Sequence, residues 1–273
     1  MPEPVVATKE MLEAIFDGAA GLYDEADPSI FRQFGARLVD LMALPPDMRV
    51  LDVGTGKSAV LIPAARRVGA SGFVIGIDLS NAMLEQAARA ARDAGIANYQ
   101  LRKMDAEHLE FPDASFDAVT CAFSLFFFPA MDAALREIFR VLKPGGKFGL
   151  SMWGKAPFDP AWKMFADQVH SYGVEVRMPQ RIAYAPENIQ ALLAAAGFID
   201  ISLHAETSEI VYPREEDWWS FQLTHGSRAA IYRMDDATRV RFKEEYLGKL
   251  HPFFQADGLH LPAPVIYAVA SRQ

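Results

Sequence analysis

Apolar positions along the chain follow two rhythms. Residues 50–53, 73–77, 99–104, 118–123, 147–153, 198–211 and 264–270 read as strands, the first two as apolar, β-branched runs. The first two are almost continuously apolar, which suits strands covered on both faces. Between the runs the apolar residues recur at helical spacing. Met83, Leu84, Ala87, Ala88, Ala91 and Ala94 form one stripe behind a Ser80 or Asn81 cap, and Leu135, Ile138, Phe139 and Leu142 form another, stopped by Lys143-Pro144-Gly145-Gly146. Helices are also expected over 8–20, from Asp27-Pro28 to Leu41, over 160–172 and over 186–196. This alternation predicts an α/β fold around a mostly parallel sheet.

The stretch 49–80 organises the rest, as strand, glycine turn, helix, second strand and a terminal acid. Gly54 and Gly56 permit backbone conformations closed to other residues, so a ligand can approach the main chain where the N–H groups at the helix start converge. Gly56-Lys57-Ser58 imitates the end of a P-loop, but Leu51 stands where that loop needs its first glycine. Residues 54–59 also satisfy the relaxed dinucleotide fingerprint, with Asp78 placed for a ribose diol. Asp52 weighs against a dinucleotide, because its carboxylate would face a pyrophosphate at short range. A cationic nucleoside fits better.

The strings VLDVGTG and GIDLSNAML, at 50–56 and 76–84, resemble the first two motifs of class I S-adenosylmethionine-dependent methyltransferases. KMDAEHLEFPDASFDAVTCAF and RVLKPGGK extend that resemblance to the ubiquinone/menaquinone biosynthesis branch. It implies a Rossmann-like, doubly wound, seven-stranded, mostly parallel sheet whose last strand inserts antiparallel, and S-adenosylmethionine as cofactor. Asp52 is expected near the cationic end of that cofactor and Asp78 on its ribose, with Gly54, Thr55 and Gly56 in the turn. The resemblance implies that Leu79 and Met83 lie against the adenine and that Asp105 and Ala106 read its edge, while Glu107, Ala122 and Phe123 complete the cofactor contacts. N-terminal helices cover the nucleoside in related enzymes, which implies a lid over 1–45 and places Tyr23 near the reacting methyl. The cofactor-binding domain is then 46–212 with 262–273. Residues 213–261, aromatic and charged together, read as a helical cap over the acceptor.

The activity implied is methyl transfer by in-line displacement to a small, fairly apolar acceptor, with aromatic compounds in range. Phe127, Trp153 and Trp218 are the expected acceptor contacts. His225 is the candidate base for an acceptor that needs one. Two other readings stay open, a nicotinamide-dependent oxidoreductase and a nucleoside-binding protein that transfers nothing.

Composition narrows the setting. A net charge of -8 over 273 residues argues against a nucleic-acid partner, and no apolar run is long enough to span a membrane. Cys121, the one cysteine, excludes an internal disulfide and reads as a small core residue. No histidine spacing suggests a metal. A cytoplasmic monomer or homodimer is expected. Asp117, at the start of the fourth strand, is expected to be structural because ligands bind at the opposite strand ends.

Overall fold

The computed structural model describes residues 8–21, 30–174, 185–224 and 227–273. Five strands run parallel: β1 (Arg49–Val53), β2 (Phe73–Asp78), β3 (Tyr99–Lys103), β4 (Phe116–Ala122) and β5 (Leu142–Trp153). The last long strand, β8 (Gly258–Arg272), enters antiparallel between β5 and β6 (Phe198–Tyr212), and a two-residue β7 (Phe254–Gln255) folds back on it. The order is β3-β2-β1-β4-β5-β8-β6. Chain direction across the sheet reverses between β1 and β4, so a crevice opens outside their carboxyl ends.

The β-branched alternation of β1 sends Val50 to one core and Leu51 and Val53 to another. On the second face lie α5 (Met131–Val141) and α7 (Pro186–Ala195). The first face carries α2 (Ile30–Met42), α3 (Leu61–Val68), α6 (Ala161–Ser171) and the helices α8 (Glu215–Thr224), α9 (Arg228–Ile231) and α10 (Asp236–Leu250). Between β2 and β3 runs α4 (Asn81–Asp93), and α1 (Lys9–Ala19) packs against it through Ala19, Ala20 and Met83.

Ser80 caps α4. Its hydroxyl accepts from the Met83 N–H at 3.0 Å and donates to Asp17 at 2.5 Å, so it serves two helices while fully buried. Ser80→Ala should therefore cost about 1–2 kcal/mol, read as a lower denaturant midpoint at unchanged slope.

Two boundaries differ from expectation. The glycine turn does not open directly into a helix. Gly54, Gly56 and Ser58 all have positive φ, which a right-handed helix cannot include, and α3 starts only at Leu61. Strand β5 begins at Leu142, because Leu142 pairs with Phe116 and Lys147 with Ala118. Residues 143–146 loop out between those pairs, with Gly145 at φ 76°.

Candidate active site

A cavity of about 740 Å³ lies outside the carboxyl ends of β1 to β5. One end is formed by the turn after β1, the tip of β2 and the loop after β3. Gly54 is fixed by more than its φ of 67°, since a Cβ there would stand 2.6 Å from the Ser124 side chain. Thr55, Gly56, Asp78, Leu79, Met83, Asp105, Ala106, Glu107, Ala122 and Phe123 all line this cavity.

Asp78 fastens the turn. Its Oδ2 accepts from the Gly56 N–H at 2.9 Å and its Oδ1 from the Ser80 N–H at 3.0 Å. Burial raises its pKa against the lowering effect of those two N–H groups. The Gly56 N–H is thus already engaged, and the turn presents Asp78 and not a row of open donors.

Asp52 departs from expectation. It is 1% exposed and does not line the cavity. Its Oδ2 accepts from Thr55 Oγ1 at 2.7 Å and its Oδ1 from Thr120 Oγ1 at 2.8 Å. The carboxylate therefore braces β1 against β4 beneath the turn. Burial pushes its pKa up to about 6 despite the two hydroxyl donors. A carboxyl whose folded pKa lies above its unfolded one adds stability when protonated. That contribution grows as pH falls through about 6 towards the unfolded value near 4 and is absent above about 6. Between pH 7 and pH 4 the parent should gain roughly 2–3 kcal/mol relative to Asp52→Asn, measured by urea unfolding of both.

After β3 the acids are compensated. Lys9 Nζ, from α1, lies 2.6 Å from Asp105 Oδ2 and 2.5 Å from Glu107 Oε2. Burial alone would raise the Asp105 pKa, but bonds from Lys9, the Glu107 N–H and His108 bring it below the usual carboxylate range. Glu107 also accepts from the Ala130 N–H at 2.7 Å.

The other end of the cavity is aromatic. Phe31, Phe123, Phe126, Phe127, Trp153, Phe158, Trp162 and Phe221 line it. Of the three expected acceptor contacts, Phe127 and Trp153 are on this wall. Trp218 is not: it is fully buried behind Phe221, with the two rings stacked at 5.4 Å and its Nε1 donating to Tyr246 Oη at 2.7 Å. One turn of α8 brings Phe221 to the wall in its place. Tyr23 and His225 lie outside the described residues. At the far end of β4, Asp117 accepts from the Arg49 N–H and pairs with Lys143, remote from the crevice. Cys121 is buried mid-strand, its thiol pushed up to about 12 by burial.

The comparisons with known proteins fall on this geometry. The profile of a methyltransferase domain matches residues 50–146, the segment from β1 through β4 to the bulge of β5. Nocamycin O-methyltransferase of Saccharothrix syringae is 33% identical over 268 residues, covering 93% of this chain and 95% of that one. The chain belongs to the methyltransferase family. The ubiquinone/menaquinone biosynthesis C-methyltransferase UbiE of Vibrio vulnificus is 32% identical, over 72% of this chain and 83% of its own. The same fold is seen in a SAM-dependent methyltransferase from Aquifex aeolicus, at 18% identity and a TM-score of 0.57, covering 93% of this chain and 98% of that one. The protein is an S-adenosylmethionine-dependent methyltransferase of a family that methylates small molecules, and the comparisons lend no support to the nicotinamide and non-catalytic readings.

The residues of this methyltransferase suit that cofactor. A half-buried carboxylate at the tip of β2 matches a ribose diol, Asp105 and the adjoining main chain match a base edge, and Met83 and Leu79 offer an apolar face. Sequence reasoning missed Lys9, Phe16, Phe31, Phe158 and Phe221 as wall residues. Lys9, Glu13 and Asp17 carried a readable signal, a polar residue every fourth position on one helix face. Among the described residues no group of His, Cys, Asp and Glu is arranged to hold a metal, and no helix is long and apolar enough to cross a membrane.

Proposed function

We propose that this enzyme methylates an oxygen of a small, flat, largely apolar ring compound. The observation that carries this reading is the division of one continuous cavity into a polar end, with Asp78 at the tip of β2 and Asp105 and Glu107 after β3, and an aromatic end beyond β4 and β5. The O-methyltransferase of Saccharothrix syringae, similar over nearly its whole length, supports oxygen as the atom that accepts. Asp78, Asp105, Ala106, Leu79 and Met83 would hold S-adenosylmethionine, which when bound supplies a methyl group already activated on a sulfonium. The task left to the chain is alignment and exclusion of water. Phe123, between the two ends, and Phe127, Trp153 and Phe221 would hold the acceptor ring. Residues 1–45 act as a lid over the nucleoside and 213–261 as a cap over the acceptor, a role that Phe221 on the cavity wall supports. A reducing compartment such as the cytoplasm suits a single, unpaired and buried cysteine.

Incubation with S-adenosylmethionine and a matched series of naphthols, naphthoic acids and naphthylamines, followed by mass spectrometry, tests the assignment. Methylated naphthol or naphthoate is expected. Methylation confined to the amines would overturn it. His225 is the proposed base for a phenolic acceptor, and Tyr23 is proposed beside the reacting methyl. His225→Ala should lower the naphthol rate about 100-fold near neutral pH and less at alkaline pH, where the phenol ionises unaided. A parent-like rate across the pH range would remove His225 from the mechanism.

A further inference from the structure

Lys9, Glu13 and Asp17 recur at intervals of four and so share one face of α1. Each meets a different part of the rim of the cofactor end. Lys9 bridges Asp105 and Glu107 beyond β3, Glu13 Oε1 lies 2.5 Å from Lys103 Nζ at the end of β3, and Asp17 Oδ1 accepts from Ser80 Oγ and from the Ala82 N–H at 3.3 Å, at the start of α4. Alongside this face, Leu12 and Phe16 line the cavity with Lys9 and Glu13, and the Phe16 ring stands 5.1 Å from that of Phe127. The helix is a wall of the cavity, fastened to the rim by charge.

We propose that the Lys9, Glu13 and Asp17 face retains the bound nucleoside, setting how fast cofactor and product leave the site. The inference rests on the placement of the cofactor at the acid end. No sequence motif assigns these residues, and none of them belongs to a strand tip. The contacts are unequal. Glu13 and Lys103 are both well exposed, so their pair is weak. Lys9 is the principal tie, because the Glu107 side chain it reaches is only 6% exposed. Without that ammonium, Asp105 and Glu107 would be left as two neighbouring anions, and the helix would lose its strongest hold on the rim. Salt loosens the more exposed Lys9–Asp105 and Glu13–Lys103 pairs, the shielded Lys9–Glu107 pair less, and the apolar contacts of Leu12, Phe16 and Ala19 not at all.

The test is stopped-flow release of S-adenosylhomocysteine from the full chain at about 50 mM and about 500 mM sodium chloride, between which the screening length falls from about 14 Å to about 4 Å. For the parent, release is expected to quicken several-fold with salt. Lys9→Met should release about tenfold faster at low salt and respond little to added salt. Lys9→Arg, which keeps a cation able to reach both carboxylates, should restore slow, salt-sensitive release and controls for loss of fold. Lys103→Met, altered on the body of the protein, should match the small effect of Glu13→Gln. Release from Lys9→Met at the parent rate, or more slowly, would overturn the inference while leaving the site in place. Failure of the parent to bind S-adenosylhomocysteine would overturn the placement of the site itself.

Discussion

Asp78→Ala is expected to weaken S-adenosylhomocysteine binding about 100- to 1,000-fold. Both carboxylate oxygens already accept a main-chain N–H, from Gly56 on one side and Ser80 on the other, at a half-buried position on the cavity wall. Alanine orphans both donors and leaves the 54–60 turn tied to the tip of β2 by the Thr55 N–H bond to the Ile77 carbonyl. Hydrogen bonds to a charged partner contribute about 1.5–3 kcal/mol each, and here two of them shape the surface that the ribose would meet. Asp78→Asn keeps one acceptor oxygen and should fall between the two. Isothermal titration, with thermal melting to confirm that the variant is folded, separates this from general collapse. An affinity within threefold of the parent would mean that the ribose is held elsewhere.

Trp218→Ala should destabilise the protein by about 3–5 kcal/mol while leaving the acceptor KM of the surviving folded enzyme close to that of the parent. Trp218 is fully buried, stacked on Phe221, 5.0 Å from the Tyr212 ring, and it opens a relay in which its Nε1 donates to Tyr246 Oη and that hydroxyl donates to the Ala161 carbonyl at 2.9 Å. Three helices, α8, α10 and α6, meet in that relay. Phe221→Ala should show the opposite balance, raising the acceptor KM with a smaller loss of stability. Chemical denaturation and steady-state kinetics on the pair check both. A stable Trp218→Ala with a raised KM would return Trp218 to the acceptor wall.

What the sequence made legible follows from how local each signal is. The strands are short apolar runs, and the glycines with Asp78 form a local motif, so the sheet and the acid-lined end were readable. The inward turn of Asp52 was not, because it depends on the register that sets Asp52 opposite Thr120 across β1 and β4. Trp218 and Phe221 are both aromatic and lie one turn apart on α8. Which of them faces the cavity is decided by packing against α10 and β6, contacts distant in sequence. The polar face of α1 looks like an ordinary solvent face until Asp105 and Glu107 are brought beside it. The charge match read from Asp52 also changes. Asp52 lies buried beneath the turn and Lys9 offsets Asp105 and Glu107, while the carboxylate of Asp78 accepts from the Gly56 and Ser80 main-chain N–H groups.

The most direct test is a crystal structure of the enzyme grown with S-adenosylhomocysteine. The adenine should lie between Met83 and the Asp105-Ala106 main chain, the ribose on Asp78, and the sulfur should point past Phe123 into the chamber of Phe127, Trp153 and Phe221. A nucleoside bound outside this cavity, or one whose sulfur faces Lys9 and away from the aromatic chamber, would contradict it.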